Sequence, residues 1–185
     1  MSFDQDRSNF ERLLTQYQSE FEEEVAFKSR MLDLLTFENC FERSLLHAHF
    51  TGSAWVIDPS SKKFLMTHHA KLNKWLQLGG HADGDANMQR VAFKELLEES
   101  GSEEFSLQSE HIFDVDIHTI PERKGVPEHD HYDVRFLFIG DASKPLFKNH
   151  ESKELRWVSS EELTDLIEPN SSISRMLNKS LQMAF

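Results

Sequence analysis

Cysteine occurs once in this chain of 185 residues, at Cys40. A single thiol excludes an intrachain disulfide and points to a reducing compartment. Basic residues are the second shortage: 20 Lys and Arg stand against 32 Asp and Glu, for a net charge of −12. That balance excludes broad binding to a phosphate backbone, so long nucleic acid is not an expected partner. Any anionic substrate must then be met by metal ions or by a locally basic pocket. Long apolar runs are missing as well. "WVI" and "FLFIG" are strand-sized, far short of the roughly 18 residues of a membrane span, so no membrane is expected. The opening "MSFDQDRSNFERLL" is acidic and lacks the basic-then-apolar form of a signal peptide, and the expected location is cytoplasmic. Repeats and low-complexity segments do not occur either. What remains is ordinary for a globular protein: 38% hydrophobic, 28% charged, and long enough for one domain with a proper core plus an appendage.

Between Asn9 and Leu35 apolar residues recur at helix-like intervals (Phe10, Leu13, Leu14, Tyr17, Phe21, then Val25, Met31, Leu32). Residues 1–48 are therefore read as an N-terminal helical extension that caps the main domain, residues 49–185. Its alternative use is as a dimerisation arm, which keeps a homodimer open. From Thr51 the period changes. "TGSAWVID", a "PSSKK" turn and "FLMTHHA" predict a β-hairpin. "KWLQLGGH" predicts a short strand entering a glycine turn, and a helix follows from near Asp85 until Gly101. "FSLQSEHIFDVDIHTI" and "HYDVRFLFIGD" alternate as strands, joined by the loop "PERKGVPEHD". "ELRWVSSEELTDLI" predicts a strand and then a helix opened by Ser159 or Ser160, and "SSISRMLNKSLQMAF" a terminal helix. The order of elements describes an α/β or α+β sandwich.

The helix after the Gly-Gly turn breaks a local rule. At about 100° per residue Glu95, Glu98 and Glu99 cluster on one side, continuing the half-stripe of Met88, Val91 and Ala92. Like charges at i,i+3 and i,i+4 each cost about 0.2–0.5 kcal/mol. Acids in the last turn also face the negative end of the helix dipole, at a further cost of roughly 0.3–1 kcal/mol. Such breaks are characteristic of functional sites. Hard oxygen donors in a tight group suit Mg²⁺ or Mn²⁺, which leave positions for water and substrate phosphate. An ion there would offset the repulsion and supply the positive charge the chain lacks, and phosphoryl transfer needs mainly that and positioning.

The segment Gly80 to Ser102 resembles the Nudix box, G-x5-E-x7-R-E-U-x-E-E-x-G-U with U a bulky aliphatic residue. Gly80 matches the first glycine, and "KELLEESG" supplies Lys94, Glu95, Leu96, Glu98, Glu99 and Gly101 at the matching spacing. "FLMTHHAKLNKWLQLGGHADGD" and "HDHYDVRFLF" resemble one bacterial branch of the Nudix family, and "LRWVSSEEL" its usual last strand and helix. The similarity thus covers most of Thr51 to Leu166. Three positions depart from the box. Ala86 stands at the first glutamate, Lys94 at the arginine, and Ser102 at the last aliphatic. Lysine keeps the charge but loses the planar fork that can orient neighbouring acids. All three acids of E-x-x-E-E are present.

The resemblance implies a Nudix α/β/α sandwich with a mixed sheet, and hydrolysis of the diphosphate bond of a nucleoside diphosphate linked to another moiety. It implies Mg²⁺ or Mn²⁺ held by Glu95, Glu98 and Glu99 with a backbone carbonyl at Gly79 or Gly80. Lys94 would hold the acids in place, and Glu95 would complete the metal shell or act as base. Glu151, ahead of the last strand, is the candidate for a further catalytic glutamate, with Glu154 and Glu128 competing. A nucleotide sugar or ADP-ribose is favoured over a nucleoside triphosphate, because the polar hairpin and the helical extension can enclose a second moiety. A non-catalytic nucleotide sensor of the same fold is the alternative, although sensors typically lose box acids. An isopentenyl diphosphate isomerase would need a catalytic cysteine, and Cys40 precedes the domain.

Ten histidines raise a zinc reading. His129, His131 and Asp133 share a strand face and could converge with His118 across a hairpin. No spacing matches a structural zinc signature, and a polar hairpin face is the preferred reading. That face can also border the substrate. Arg135, His131 and the basic turn Glu122 to Lys124 would then meet phosphate, with His68, Lys71 and Lys74 approaching from another side. Trp75, Tyr132 and Phe147 are aromatic candidates for stacking on a base.

Overall fold

The N-terminal helical stretch divides in two: α1 spans Phe3–Gln16 and α2 spans Glu22–Leu34. The sequence predicts continuous periodicity here, but local side-chain bonds compete with the helix at residues 17–21. Ser19 accepts from Phe21 N (3.1 Å), and Tyr17 donates its hydroxyl to Glu24 (2.6 Å). The helices bury one stripe each. Phe10 and Leu14 of α1 and Met31 and Leu34 of α2 are buried. Phe10 sits edge-on to Phe50 at 5.1 Å and to Phe41 at 5.9 Å, and Phe41 stacks on Phe50 at 5.3 Å. Each buried ring contributes about 1.5–3 kcal/mol by burial, and each ring pair roughly 0.5–1.5 kcal/mol beyond it.

The computed structural model describes residues 2–123, 125–167 and 171–183. After α2 come β1 (Ala48–Asp58), β2 (Lys63–His69), β3 (Lys74–Leu76), β4 (Leu78–His81), α3 (Met88–Ser100), β5 (Ser106–Leu107), β6 (Asp114–Ile120), β7 (His129–Ile139), β8 (Ser152–Val158), α4 (Ser160–Leu166) and α5 (Ser171–Gln182). The fold is mixed α+β. The hairpin expected from Thr51 is present, antiparallel with Ile57 opposite Phe64. Two predicted strands are each broken in two: "KWLQLGGH" into β3 and β4, and the stretch from Phe105 into β5 and β6. Helix α3 begins three residues later than expected. Asn87 caps it by accepting from Arg90 N (3.0 Å), while Asp85 accepts from Asn87 N (2.9 Å). The predicted cap of α4 is Ser159, which accepts from Glu162 N. None of the described helices is long and apolar enough to cross a membrane.

The chain forms two compact units. The first comprises Met1–Ser53, Gly79–Ala92 and Glu110–Phe136. In it β4 pairs with β1, and β6 lies antiparallel to β7 with Asp114 opposite Arg135 and His118 opposite His131. Gly79 is required by this packing: a Cβ there would meet Ser53 Oγ at 2.2 Å and Gly52 O at 2.8 Å. The second comprises Ala54–Leu78, Phe93–Ser109 and Leu137–Phe185. In it β2 lies between β3 and β8, antiparallel to both, and β5 pairs with the end of β7. Trp55 is buried there and donates its indole N–H to Ser180 Oγ (2.8 Å), so its one polar atom is satisfied.

Candidate active site

In the second unit the last two turns of α3 carry Lys94, Glu95, Glu98 and Glu99. Glu95 and Glu99, one turn apart, project on one side of the helix, and Glu98 lies beside them. Glu99 is buried (5% exposed), whereas Glu98 reaches outward and pairs with Lys94 at 3.7 Å. The helix stops just after these acids because Gly101 adopts φ +61° and its N–H closes on Leu97 O (2.9 Å). A second cap follows from Ser100, whose Oγ donates to Leu96 O (2.6 Å). The backbone N–H of Phe147 donates to Ser100 O at 2.8 Å. A Cβ on Gly101 would meet the Phe147 carbonyl oxygen at 2.7 Å. The loop leading to β8 is thereby tied to the acid-bearing end of α3, with the Phe147 ring 64% exposed beside it.

The same loop ends at Glu151, the predicted further catalytic acid. Its carbonyl accepts from Ala70 N (2.8 Å), and its carboxylate lies 3.6 Å from Lys71 Nζ. Lys71 and Lys74 are exposed, and Lys74 stands opposite His69 in the β2–β3 pair. His68 stacks on Trp75 (5.1 Å, 15°), over whose ring Arg156 also sits at 4.9 Å. Trp75 is thus engaged by its own unit. Glu154 pairs with Arg156 (2.9 Å), and Glu128 is exposed in the first unit. Three oxygen donors within five helical residues are a donor set that fits a hard divalent cation.

Comparison with known proteins decides the family. A model of the NUDIX domain matches residues 49–177. The chain belongs to the Nudix family. Its enzyme type is that of a Nudix pyrophosphohydrolase, which acts on phosphoric anhydrides. Among solved structures, a NUDIX-family hydrolase from Clostridium perfringens is similar with 26% identity over 73% of this chain and 98% of that one (TM-score 0.53). A C. elegans Ap4A hydrolase in a binary complex is similar with 16% identity over 71% and 94% (TM-score 0.57). The MutT protein of Methanosarcina mazei has 16% identity over 74% and 97% (TM-score 0.55). Among curated protein sequences there is no significant match.

Within this Nudix chain the first unit holds Gly80, on β4, and the remaining predicted residues. Arg135 is 2% exposed. Its Nε donates to Asp133 (2.8 Å), Nη1 to Asp114 (3.1 Å) and Nη2 to Asp116 (3.2 Å). Burial opposes its charge, but Asp116, Asp133 and Asp114 outweigh that and raise its pKa further. Contact with a phosphate, as expected from the sequence, would require Arg135 to leave three carboxylates. Thr51 and Ser53 complete the network by donating to Asp133 (3.0 and 2.7 Å). Lys124, the basic end of the turn expected beside it, lies outside the described residues.

His131 belongs to a histidine cluster of the first unit. It lies 5.1 Å from His49 and His129, 4.8 Å from His81 and 5.5 Å from His118, between ring centroids. Burial, then the neighbouring histidines, push the His131 pKa far down. Burial, then Arg43, bring that of His81 to about 4. Burial likewise lowers His49 against the Leu45 carbonyl, which favours the charged form. The expected convergence of His118 on His131 is present, but Asp133 points into the Arg135 network instead. His49 and His81 escaped the sequence reading. The available signal was the polar alternation His49, Thr51, Ser53 in an otherwise apolar strand, in phase with His129, His131, Asp133 and Arg135.

Proposed function

We propose that the chain hydrolyses the diphosphate bond of a nucleoside diphosphate linked to another moiety, of the nucleotide-sugar or ADP-ribose class, with Mg²⁺ or Mn²⁺. The observation that carries this is the trio Glu95, Glu98 and Glu99 on the capped end of α3, with the Glu151 loop tethered to the same end by the Phe147–Ser100 bond. The three glutamates would hold the divalent ion. Such an ion polarises a phosphoryl oxygen and lowers the pKa of water.

This chain's own residues set the positions. Lys94 restrains Glu98 through their ion pair, and Gly101 with Ser100 fixes where the helix stops. Glu95 or Glu151 takes the proton of the attacking water. Lys71, Lys74 and His68 offer positive charge and hydrogen bonds to phosphate oxygens. Phe147, the most exposed of the three aromatic candidates, offers a ring face to a base. Tyr132 is buried with its hydroxyl against Arg30. Burial of Phe10, Leu14 and Met31 supports a capping extension over residues 1–48 rather than a dimerisation arm. The reading carries a cytoplasmic location, in keeping with a lone thiol at Cys40 whose pKa burial pushes up to about 11.

The test is a hydrolysis screen with and without Mg²⁺ over ADP-ribose, nucleotide sugars, dinucleotides and nucleoside triphosphates, with Glu98→Gln alongside. Cleavage of the first two classes, lost in the variant, is the expected result. Nucleotide binding without any turnover would replace the enzyme with a sensor.

A further inference from the structure

The histidine cluster stands apart from the glutamates of α3 in chemistry, and it is built like a soft-nitrogen site. His49 Nδ1 faces Leu45 O at 3.4 Å, and His129 Nδ1 faces Pro127 O at 2.8 Å. A carbonyl only accepts, so both nitrogens carry the proton and both Nε2 atoms are left with a lone pair. Metal-ligating histidines characteristically have this arrangement, in which a backbone carbonyl fixes the tautomer and orients the ring. The Nε2 atoms of His49 and His131 are buried and have no hydrogen-bond partner. His49 is 4% exposed, so water has little access to repair the loss. An orphaned buried nitrogen costs about 1–3 kcal/mol, and here two of them are close together.

One nitrogen from each of His49, His129 and His131 can be chosen so that all three lie within 4.8 Å of one another. Around one Zn²⁺ at about 2.1 Å, three ligands stand roughly 3.4 Å apart, so modest ring rotations close the site. The buried Asp114 and Asp133 and the half-buried Asp116 of the same unit are taken up by Arg135. Asp83 is held by Arg43 (2.7 Å). The donors left are imidazoles, and imidazole favours Zn²⁺ over Mg²⁺ or Mn²⁺.

We propose that His49, His129 and His131 form a second metal site, binding one Zn²⁺ and leaving a fourth position open. The ion would join β1 to the β6–β7 hairpin through side chains on two strands, with His81 and His118 around it. An anion is a poorer occupant, because the bare Nε2 of His49 presents a lone pair that repels negative charge.

The experiment uses the untagged full-length protein, stripped with EDTA and titrated with Zn²⁺ against a chromophoric chelator. One ion per chain is expected, with Co²⁺ giving visible d–d absorption of tetrahedral intensity. His49→Gln and His131→Gln should each weaken Zn²⁺ binding on the order of 100-fold. Should either buried variant lose its far-UV circular dichroism, His129→Gln, at a half-buried position, gives the same reading. Glu98→Gln should leave Zn²⁺ affinity unchanged, which separates this site from the proposed Mg²⁺ site. Absence of stoichiometric Zn²⁺ in the wild type overturns the proposal. So does a Zn²⁺ affinity insensitive to all three histidine substitutions, or one abolished by Glu98→Gln.

Discussion

Replacing Arg135 with methionine keeps most of the side-chain length and removes the charge that three aspartates share. Their fates differ. Asp133 retains the hydroxyls of Thr51 and Ser53. Asp116 is 13% exposed and has His118 at 3.2 Å, so it can be partly resolvated. Asp114 is fully buried opposite Arg135 in the β6–β7 register, and its carboxylate loses a charged donor at 3.1 Å. Stranding one partner of a buried ion pair costs about 3–5 kcal/mol. Against a total stability of about 5–15 kcal/mol that is a large fraction. For a chain of this size it corresponds to a melting temperature roughly 6–20 °C lower. Urea unfolding followed by far-UV circular dichroism measures it, with the m-value confirming the same cooperative transition. Arg135→Met with Asp114→Asn should regain at least half of the loss, because the amide needs no counter-charge. A loss below about 1 kcal/mol, or no recovery in the double variant, would refute the argument. A tenfold rise in KM for Arg135→Met, measured where the variant is folded, would restore Arg135 to the substrate.

At the acid-bearing helix, Glu98→Gln and Glu95→Gln should each lower kcat by about 10²–10⁴-fold with little change in melting temperature, read by Mg²⁺-dependent turnover and thermal unfolding. Lys94→Ala removes only an exposed pair, so stability should move by less than about 1 kcal/mol. Gly101→Ala forces a side chain into φ +61° against Phe147 and should cost about 1–3 kcal/mol, seen as a shifted urea midpoint together with reduced kcat. In the metal-stripped protein, His81 has a folded pKa of about 4, below its ordinary 6.5. The unfolded chain therefore takes up the proton first. The stability His81 confers is complete above pH 6.5 and is lost as pH falls towards 4, at up to about 1.4 kcal/mol per pH unit. Urea midpoints across that window should fall more gently for His81→Asn than for wild type; equal slopes would contradict the assignment.

The carboxylate helix was legible because it violated local rules: three acids at a dipole's negative end before a glycine stop are visible without coordinates. Caps such as Ser159 and the β1–β2 turn were legible for the same local reason. The interruption between α1 and α2 was not, because Ser19 and Glu24 act through side-chain bonds that periodicity does not register. Nor was the setting of Arg135. Its partners Asp114 and Asp116 lie on another strand, and only the register of β6 against β7 brings them to it. The histidine cluster combines both cases. His129 and His131 announced a shared face, while His49 and His81 come from strands brought in by β1 and β4.

The ring cluster of Phe10, Phe41 and Phe50 bears on where the molecule can be cut. Family likeness begins at residue 49, yet the first unit draws its core from residue 10 onward. A chain shortened to begin at residue 49 would leave Phe50 bare on a strand and strip α2 from β6, including the Glu24 carboxylate that receives Val115 N (3.1 Å). Amides of α1, α2 and β6 should then exchange with solvent as a single cooperative block in the intact protein. The line that ancestry draws through this chain and the line along which it melts are different lines.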